Sequence, residues 1–370
     1  IESLMNAGKT EELNAVMANA GEAMKRGQES ELVAKLLEES YAVVDVAGYN
    51  YADTRYVMDR ERFPNRIIVG SETYPRDIAN NWKLVMENSH VIGDFTWTGW
   101  DYLGEAGIGK PYREQGDIGI TGGYPWMIAY CGDINIIGDR RPASYYREIV
   151  FGLRKDPYIA VQRPWQYGRP TANNPWSWSD TVSSWSWEGF EGKPVHVEVY
   201  ADADEVELVL NGTSVGRSSA GPRHAFKAEF DIVYEPGELT AVAYTGGEES
   251  GRMTLRTAGP GVRLKAEADR SRIRADDRDL AFISISLTDD AGILKPMADR
   301  KVTVTVEGSG ILLGLGSANP KTEESFCDNE HTTFDGRALA VIRPTGAGKI
   351  RVCVMAEGCA PQTVEILAES

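Results

Sequence analysis

The chain has 370 residues, of which 42% are hydrophobic and 25% are charged. These fractions are typical of globular proteins, and the length favours two or three domains with sizeable cores. The formal net charge is −16 and no basic run is present, so nucleic acids and anionic membranes are not expected partners. No apolar stretch approaches the length of a membrane-spanning helix. The cysteines and histidines show no metal-ligand spacing, and we expect free thiols, no metal site and no cofactor.

The first 40 residues are rich in Ala, Glu, Leu, Lys and Met and predict two amphipathic helices. Gly27 is the predicted break between them. Apolar residues recur at intervals of three and four, first at Leu13, Val16, Met17, Ala20 and Met24 and then at Leu32, Val33, Leu36 and Leu37.

Residues 42–96 alternate between short apolar runs and segments of helical length. Strands are predicted at 42–48, 66–70 and 91–96, and helices at 52–61 and 74–88. The order of strand, helix, strand, helix, strand indicates βαβ units, whose parallel strands are buried on both faces.

Polar and aromatic residues follow the ends of these strands rather than being scattered along them. They are Asn50 and Tyr51 after the first strand, Ser71 and Glu72 after the second, and Trp97, Trp100, Asp101 and Glu105 after the third. In a (β/α)₈ barrel the C-terminal ends of the strands form the catalytic face. A carboxylate there suits a glycosidase nucleophile, because a Tyr can hydrogen-bond it and a Trp offers an apolar plane to a sugar ring.

Three motifs in this stretch resemble the last three barrel strands of glycoside hydrolase family 2, in its β-galactosidase-like branch. They are Gly-Tyr-Asn-Tyr at 48–51, Gly-Ser-Glu-Thr-Tyr-Pro at 70–75 and Phe-Thr-Trp-Thr-Gly-Trp-Asp-Tyr at 95–102. The resemblance implies that Glu72 is the nucleophile, that Tyr51 contacts it and that Trp97 lines the sugar subsite. Further candidates for substrate contact are Asn50, Tyr74 and Asp101, whereas Trp100 is expected in the core.

The resemblance also implies retaining hydrolysis of a β-linked sugar, expected to be a galactoside. The family's acid/base is a Glu that follows an Asn at the end of the fourth barrel strand. The Asn-Glu pair of this sequence, Asn329-Glu330, lies far downstream in a β-rich segment and is interpreted as a surface loop. We therefore expect the chain to be the C-terminal portion of a larger enzyme, to need the upstream barrel half as a partner, and to be inactive alone.

The Gly-rich, aromatic segment at 104–138 is predicted to be a packed cover over one end of the barrel. A helix at 144–154 would close the barrel portion, which is expected to span 1–157 and to end near Asp156-Pro157. Residues 158–190 are rich in Trp and Pro. They form either an extended strap packed between two domains or an aromatic platform for carbohydrate.

The remainder of the chain predicts two immunoglobulin-like β-sandwiches, at 191–258 and 262–370. The first has period-two alternation with turn signals at Asn211-Gly212 and Pro236-Gly237, and the strap is expected to contribute to it. Both resemble the accessory domains that follow the barrel in this branch of the family. The acidic runs at 276–279 and 289–290 are interpreted as turns, because they lack the ligand spacing of a calcium loop.

Two other function classes remain open from the sequence. The first is a non-catalytic carbohydrate-binding module, in which the region of Trp185 and Trp187 would hold a glycan. The second is a scaffold or dimerisation role for the sandwiches, which would make the protein a homo-oligomer. Pairs such as Ser71-Glu72 are also common at helix caps and on surfaces, and the position of Glu72 at a buried strand end is what favours catalysis.

Overall fold

The structure, a computed structural model, describes residues 27–117, 120–172 and 174–370. Within these residues it contains a three-stranded parallel sheet with its helices, a two-stranded ribbon and four larger sheets. The described fold is therefore mostly β. The first predicted helix, at residues 13–24, lies outside the described residues. None of the described helices is long and apolar enough to cross a membrane.

The second predicted helix is present as α1 (Glu31–Ala42). Ser30 begins it, because the Ser30 Oγ accepts a hydrogen bond from the backbone N–H of Val33 at 3.3 Å. The helix continues to residue 42, where the sequence predicted a strand to begin. The first strand therefore starts later than expected, at Ala47.

The predicted βαβ order is present with shifted bounds. The elements are β1 (Ala47–Asn50), α2 (Arg55–Arg62), β2 (Ile68–Thr73), α3 (Ile78–Glu87) and β3 (Val91–Thr96). The strand order is β1-β2-β3 and both pairs are parallel. Because β2 continues to Thr73, Glu72 lies near the end of the strand rather than after it. α3 begins later than predicted, since a separate 3-10 turn forms first at Pro75–Asp77.

Aromatic and charged residues hold α2 against this sheet. Tyr49, in β1, donates a hydrogen bond from its hydroxyl to the buried carboxylate of Asp59. The Asp59 carboxylate also pairs with the guanidinium groups of Arg55 at 2.6 Å and Arg66 at 3.4 Å. A buried carboxylate is tolerated when its charge is compensated in this way.

Within the described residues, β1 and β3 are the edges of the parallel sheet, since each pairs with β2 alone. On β3, the side chains of Ile92 and Phe95 are 57% and 64% exposed. Unpaired strand edges and large exposed apolar side chains both favour coverage by further protein. The sheet is therefore suited to extension on both sides.

The segment after β3 packs on itself, as expected for a cover. Its strands β4 (Tyr102–Leu103) and β5 (Ile128–Ala129) pair antiparallel. Buried Ile108, Ala129 and Cys131 form a small apolar cluster against which the Trp97 indole packs. Helix α4 (Pro142–Val150) follows and is shorter than the helix predicted at 144–154.

The first β-sandwich begins inside the predicted strap. Its strands are β6 (Tyr158–Gln162), β7 (Thr181–Val182), β8 (Pro194–Tyr200), β9 (Glu205–Leu210), β10 (Thr213–Ser219), β11 (Lys227–Val233), β12 (Glu238–Thr245) and β13 (Glu248–Arg256). One sheet has the order β11-β8-β6-β7 and the other β10-β9-β12-β13. Trp185 and Trp187 are completely buried in the core between them. The hypothesis that these two indoles hold a glycan is therefore wrong, because neither ring face reaches solvent.

The second β-sandwich is built from two further sheets. Its strands are β14 (Arg263–Ala268), β15 (Arg272–Arg274), β16 (Ala281–Thr288), β17 (Lys301–Gly308), β18 (Gly310–Gly316), β19 (Glu330–Thr332), β20 (Arg337–Pro344), β21 (Gly348–Ala356) and β22 (Gln362–Glu369). The sheet orders are β14-β16-β20-β18 and β15-β22-β21-β17-β19. Asp276 and Asp289 accept hydrogen bonds from backbone N–H groups of their own turns, as predicted for turn residues. Glu330 is exposed, but it begins the short strand β19 rather than lying in a loop.

Candidate active site

Glu72 and Tyr51 lie together at the C-terminal ends of β2 and β1. The backbone N–H of Tyr51 donates a hydrogen bond to the backbone carbonyl of Glu72 at 2.7 Å. The Glu72 carboxylate is also close enough to the Tyr51 side chain to influence its pKa. Burial raises the pKa of Tyr51 far above its usual value, and the negative charge of Glu72 adds to this rise. The Tyr51 hydroxyl therefore stays protonated at neutral pH and is able to donate a hydrogen bond to Glu72.

Two further aromatic side chains enclose Tyr51. The Tyr74 ring stacks on the Tyr51 ring with centroids 4.3 Å apart and an interplanar angle of 25°. The Trp176 ring meets both tyrosines edge-on, with centroid distances of 5.5 Å to Tyr51 and 5.0 Å to Tyr74. The Trp176 Nε1–H donates a hydrogen bond to the Tyr51 hydroxyl at 3.0 Å. The Tyr51 oxygen thus accepts from Trp176, and its own proton stays available to the nearby Glu72 carboxylate.

Trp176 was not among the residues singled out in the sequence, because it lies in the Trp- and Pro-rich strap far from the strand motifs. Arg76 holds this part of the strap against the end of β2. The Arg76 guanidinium donates to the backbone carbonyls of Ser177 and Ala172, both at 3.0 Å. Ser177 Oγ donates in turn to the carbonyl of Lys110 at 2.7 Å. The density of Trp in the strap was the available signal, but it did not indicate which indole reaches the site.

Trp97 lies at the end of the adjacent strand β3. Its backbone N–H donates to the carbonyl of Thr73 at 2.9 Å, which ties the strand end to β2 one residue beyond Glu72. The indole Nε1–H donates to the Tyr102 hydroxyl at 3.1 Å, and Tyr102 donates to the Glu105 carboxylate. The ring is half-buried. These contacts fix the orientation of the Trp97 indole beside the strand ends.

Asn50 lies at the exposed end of β1, where it is the Cα partner of Glu72 in the β1–β2 pairing. Its side-chain oxygen accepts a hydrogen bond from Ser71 Oγ at 2.8 Å. An exposed amide at this place leaves its NH₂ group available to a ligand hydroxyl.

Asp101 is buried among contacts that the sequence did not predict, and Trp100 is more exposed than predicted. Asp101 is buried, with 3% of its surface exposed, and accepts a hydrogen bond from the backbone N–H of Gly132 at 2.7 Å. It also pairs with the Arg141 guanidinium at 3.4 Å. Asp101 therefore holds the cover segment together. Trp100, expected in the core, is instead 53% exposed. Periodicity could not separate these neighbours because the chain leaves its regular strand at Thr96.

Among the residues that the structure describes, one set of side chains has metal-ligand spacing, and it lies on the first sandwich. The candidate ligand atoms of His196, Glu198 and Glu229 are within 4.8 Å of one another. The Lys227 ammonium is 3.2 Å from Glu198, and the Tyr200 hydroxyl donates to the same carboxylate at 2.7 Å. We assign no metal here, because these neighbours already compensate the Glu198 charge.

Comparison with known proteins agrees with the sequence motifs. Residues 264–365 match the model of glycoside hydrolase family 2 C-terminal domain 5, and residues 192–251 match a domain of unknown function. The beta-galactosidase BoGH2A of Bacteroides ovatus is 30% identical over 293 residues, which is 78% of this chain and 30% of that protein. A putative beta-glucuronidase of Formosa agariphila is 27% identical over 70% of this chain and 22% of its own length. The chain thus spans under a third of these two relatives.

Solved structures extend the similarity to most of the chain. A glycosyl hydrolase family 2 member from Bacteroides cellulosilyticus superposes with a TM-score of 0.81 and 35% identity. The match covers 92% of this chain and 44% of that one. A beta-glycosidase from Bacteroides vulgatus shares the fold at a TM-score of 0.65 and 17% identity, over 88% of this chain and 45% of its own. The motifs, the family model and these likenesses agree, and the chain belongs to glycoside hydrolase family 2.

Proposed function

We propose that this chain carries the nucleophile side of a retaining β-glycosidase active site, with Glu72 as the nucleophile and a β-galactoside as the substrate. The observation that carries the proposal is the Tyr51–Glu72 pair at adjacent strand ends, with Tyr51 held by Trp176. In the same proposal, β1 to β3 are part of a (β/α)₈ barrel, whose catalytic groups lie at the C-terminal strand ends. The two sandwiches are accessory domains of immunoglobulin-like type.

The chemistry would proceed in two displacements. In the first, an oxygen of Glu72 forms a bond to the anomeric carbon while the bond to the leaving-group oxygen breaks and a second carboxylic acid protonates that oxygen. In the second, the resulting carboxylate takes a proton from water, and the water oxygen displaces Glu72. The two carboxyl groups stand about 5 to 5.5 Å apart in such enzymes. We propose that the second carboxyl comes from a barrel segment that pairs with an open edge of the β1-β2-β3 sheet.

Tyr51 and Trp97 would support these steps from fixed positions. A hydrogen bond from Tyr51 would orient one oxygen of Glu72 and leave the other free to attack. The half-buried Trp97 indole offers an apolar plane to the sugar ring. The galactoside assignment follows the name of the Bacteroides ovatus relative, and nitrophenyl glucuronides belong in the same assays because other relatives are named beta-glucuronidases.

Chemical rescue of Glu72→Ala in the enzyme that contains this chain tests the proposal. The variant should lose hydrolysis of a nitrophenyl β-galactoside, and added azide should restore turnover and give the α-galactosyl azide. A single displacement from the side of the missing carboxylate inverts the anomeric carbon. Formation of the β-azide would show that Glu72 is the acid/base instead. Glu87→Ala, at the exposed end of α3, is the matched control and should retain full activity.

A further inference from the structure

A cavity of about 690 Å³ lies where the segment around α4 meets both sandwiches. None of Tyr51, Glu72, Tyr74, Trp97 and Trp176 lines it, so it is separate from the candidate active site. Its volume is within the range of small-molecule sites, and a junction between domains is a common place for such sites. The proposed hydrolysis does not involve this cavity.

The wall of the cavity is rich in charged side chains. Five arginines and three aspartates line it. Three of the arginines are engaged by carboxylates within 3.4 Å, namely Arg140 with Glu148, Arg141 with Asp101, and Arg163 with Asp180 and Asp335. Arg337 makes a longer pair with Asp139 at 3.6 Å.

Arg154 is the arginine of this wall that has no carboxylate partner among the described residues. Its Nε donates to the backbone carbonyl of Asp156 at 3.0 Å, which leaves both terminal nitrogens without a protein acceptor in the described part of the chain. The guanidinium lies 5.6 Å from the Tyr158 ring centroid and 5.8 Å from that of Tyr145. These two rings stack on each other at 4.1 Å, so they form a rigid support for the cation.

Other groups that line the cavity could contact the hydroxyl groups and C–H faces of a sugar. The Tyr130 hydroxyl has no hydrogen-bond partner among the residues that the structure describes, and Ser183 and Ser184 add two hydroxyl groups to the wall. Met253 and Leu294 provide an apolar patch. A wall with both hydroxyls and an apolar patch suits a ring that has polar edges and C–H faces.

We propose that this cavity is a second binding site, which takes a small acidic saccharide whose carboxylate or sulfate is bound by Arg154. A guanidinium whose two terminal nitrogens are free recognises a planar carboxylate or a sulfate by paired hydrogen bonds. The site would let an acidic sugar bind at a distance from the reacting atoms.

Isothermal titration of the 370-residue protein tests this site with three probes of matched size. Glucuronate and galactose 6-sulfate represent the two anionic groups, and galactose is the neutral control. At least one anionic probe should bind, and galactose should bind at least about tenfold more weakly. Added salt should weaken the binding of the anionic probe, because the attraction is electrostatic. No binding of either anion would overturn the proposal.

Variants identify where the anion binds. Arg154→Gln should weaken the anionic binding by about tenfold or more, and Arg154→Lys, which keeps the charge but loses the planar fork, should weaken it less. Arg343→Gln, outside the cavity, is the matched control and should bind as the wild type does. Tyr130→Phe is a second test, because it removes a hydroxyl group and hardly changes the volume of the side chain. This variant should weaken binding severalfold.

The same titration of Glu72→Gln separates this site from the catalytic one. Binding should be unchanged, because Glu72 does not line the cavity. Unchanged binding in Arg154→Gln, or binding that changes only in Glu72→Gln, would contradict the cavity site while leaving the proposed hydrolysis intact.

Discussion

The indole Nε1–H of Trp176 donates a hydrogen bond to the hydroxyl of Tyr51 at 3.0 Å, although the two residues are 125 positions apart. The Tyr51 side chain in turn lies near the Glu72 carboxylate, whose negative charge raises the pKa of Tyr51. The strap that leads into the first sandwich therefore contributes directly to the candidate active site. A substitution in the strap should therefore affect the surroundings of Glu72 through Tyr51.

Trp176→Phe should lower kcat/KM for a nitrophenyl galactoside by roughly 2- to 10-fold in the active enzyme, which corresponds to a neutral hydrogen bond of about 0.5–1.5 kcal/mol. The phenyl ring keeps much of the aromatic contact but cannot donate to Tyr51. Trp165→Phe, an indole of the same strap that is 48% exposed, is the control and should behave as wild type. Equal losses in both variants would mean that the strap, and not this hydrogen bond, is what matters.

Tyr51→Phe should have a larger effect, because in the proposed site it removes a hydrogen bond to a charged carboxylate. Such bonds contribute about 1.5–3 kcal/mol, so kcat should fall by roughly 10- to 100-fold while the free energy of unfolding changes little. Tyr74→Phe is a matched control: it retains the ring that stacks on Tyr51, and its hydroxyl has no hydrogen-bond partner among the described residues. Steady-state kinetics on the two variants decide the point, and a greater loss in Tyr74→Phe would reverse the two roles.

Trp97→Ala should weaken use of the substrate by about 1 kcal/mol or more, since it removes an aromatic face against the sugar. The matched variant is Trp100→Ala, whose indole is 53% exposed and lies three residues further on. Kinetics should show a clear loss in the first variant and a small one in the second. Normal kinetics in Trp97→Ala with severe impairment in Trp100→Ala would assign the sugar subsite to Trp100.

Stability should depend on pH through His196, on β8. Its Nδ1 is 3.0 Å from Asp231, and the neighbouring Glu229 and Asp231 carboxylates raise the pKa of His196 to about 8. The folded state thus favours the charged imidazolium. This contribution is fully present below the unfolded pKa of about 6.5 and is lost as the pH rises through about 8.

His196→Gln should therefore reduce the loss of stability between about pH 6 and about pH 9 by about 1 kcal/mol. Thermal unfolding at the two pH values measures the difference. His224→Gln, on an exposed turn, is the control and should lose stability with pH as the wild type does. An unchanged pH dependence in His196→Gln would show that the pairing with Glu229 and Asp231 does not contribute.

The sequence predicted the fold best where the hydrophobic pattern of a strand and the residue types at its end indicate the same structure. Strand β3 and the position of Glu72 near a strand end could be predicted, because a buried parallel strand has a composition distinct from the residues at its end. The contact of Trp176 with Tyr51 could not be predicted from the sequence. It depends on hydrogen bonds from Arg76 to backbone carbonyls of the strap, and hydrophobic periodicity does not indicate such bonds. The pairing of Asp101 with Arg141 could not be predicted for a related reason: the two residues are 40 positions apart, and only the folded cover brings them together.

The most direct test of the central claim is covalent labelling of the active enzyme that contains this chain. A 2-deoxy-2-fluoro-galactoside with a good leaving group should trap the glycosyl-enzyme, and peptide mapping by mass spectrometry should find the sugar on Glu72. The fluorine slows both displacements, and the activated leaving group allows the first to occur, so the intermediate accumulates. Labelling of a different carboxylate, with Glu72 unmodified in the inactivated enzyme, would contradict the assignment of Glu72 as the nucleophile.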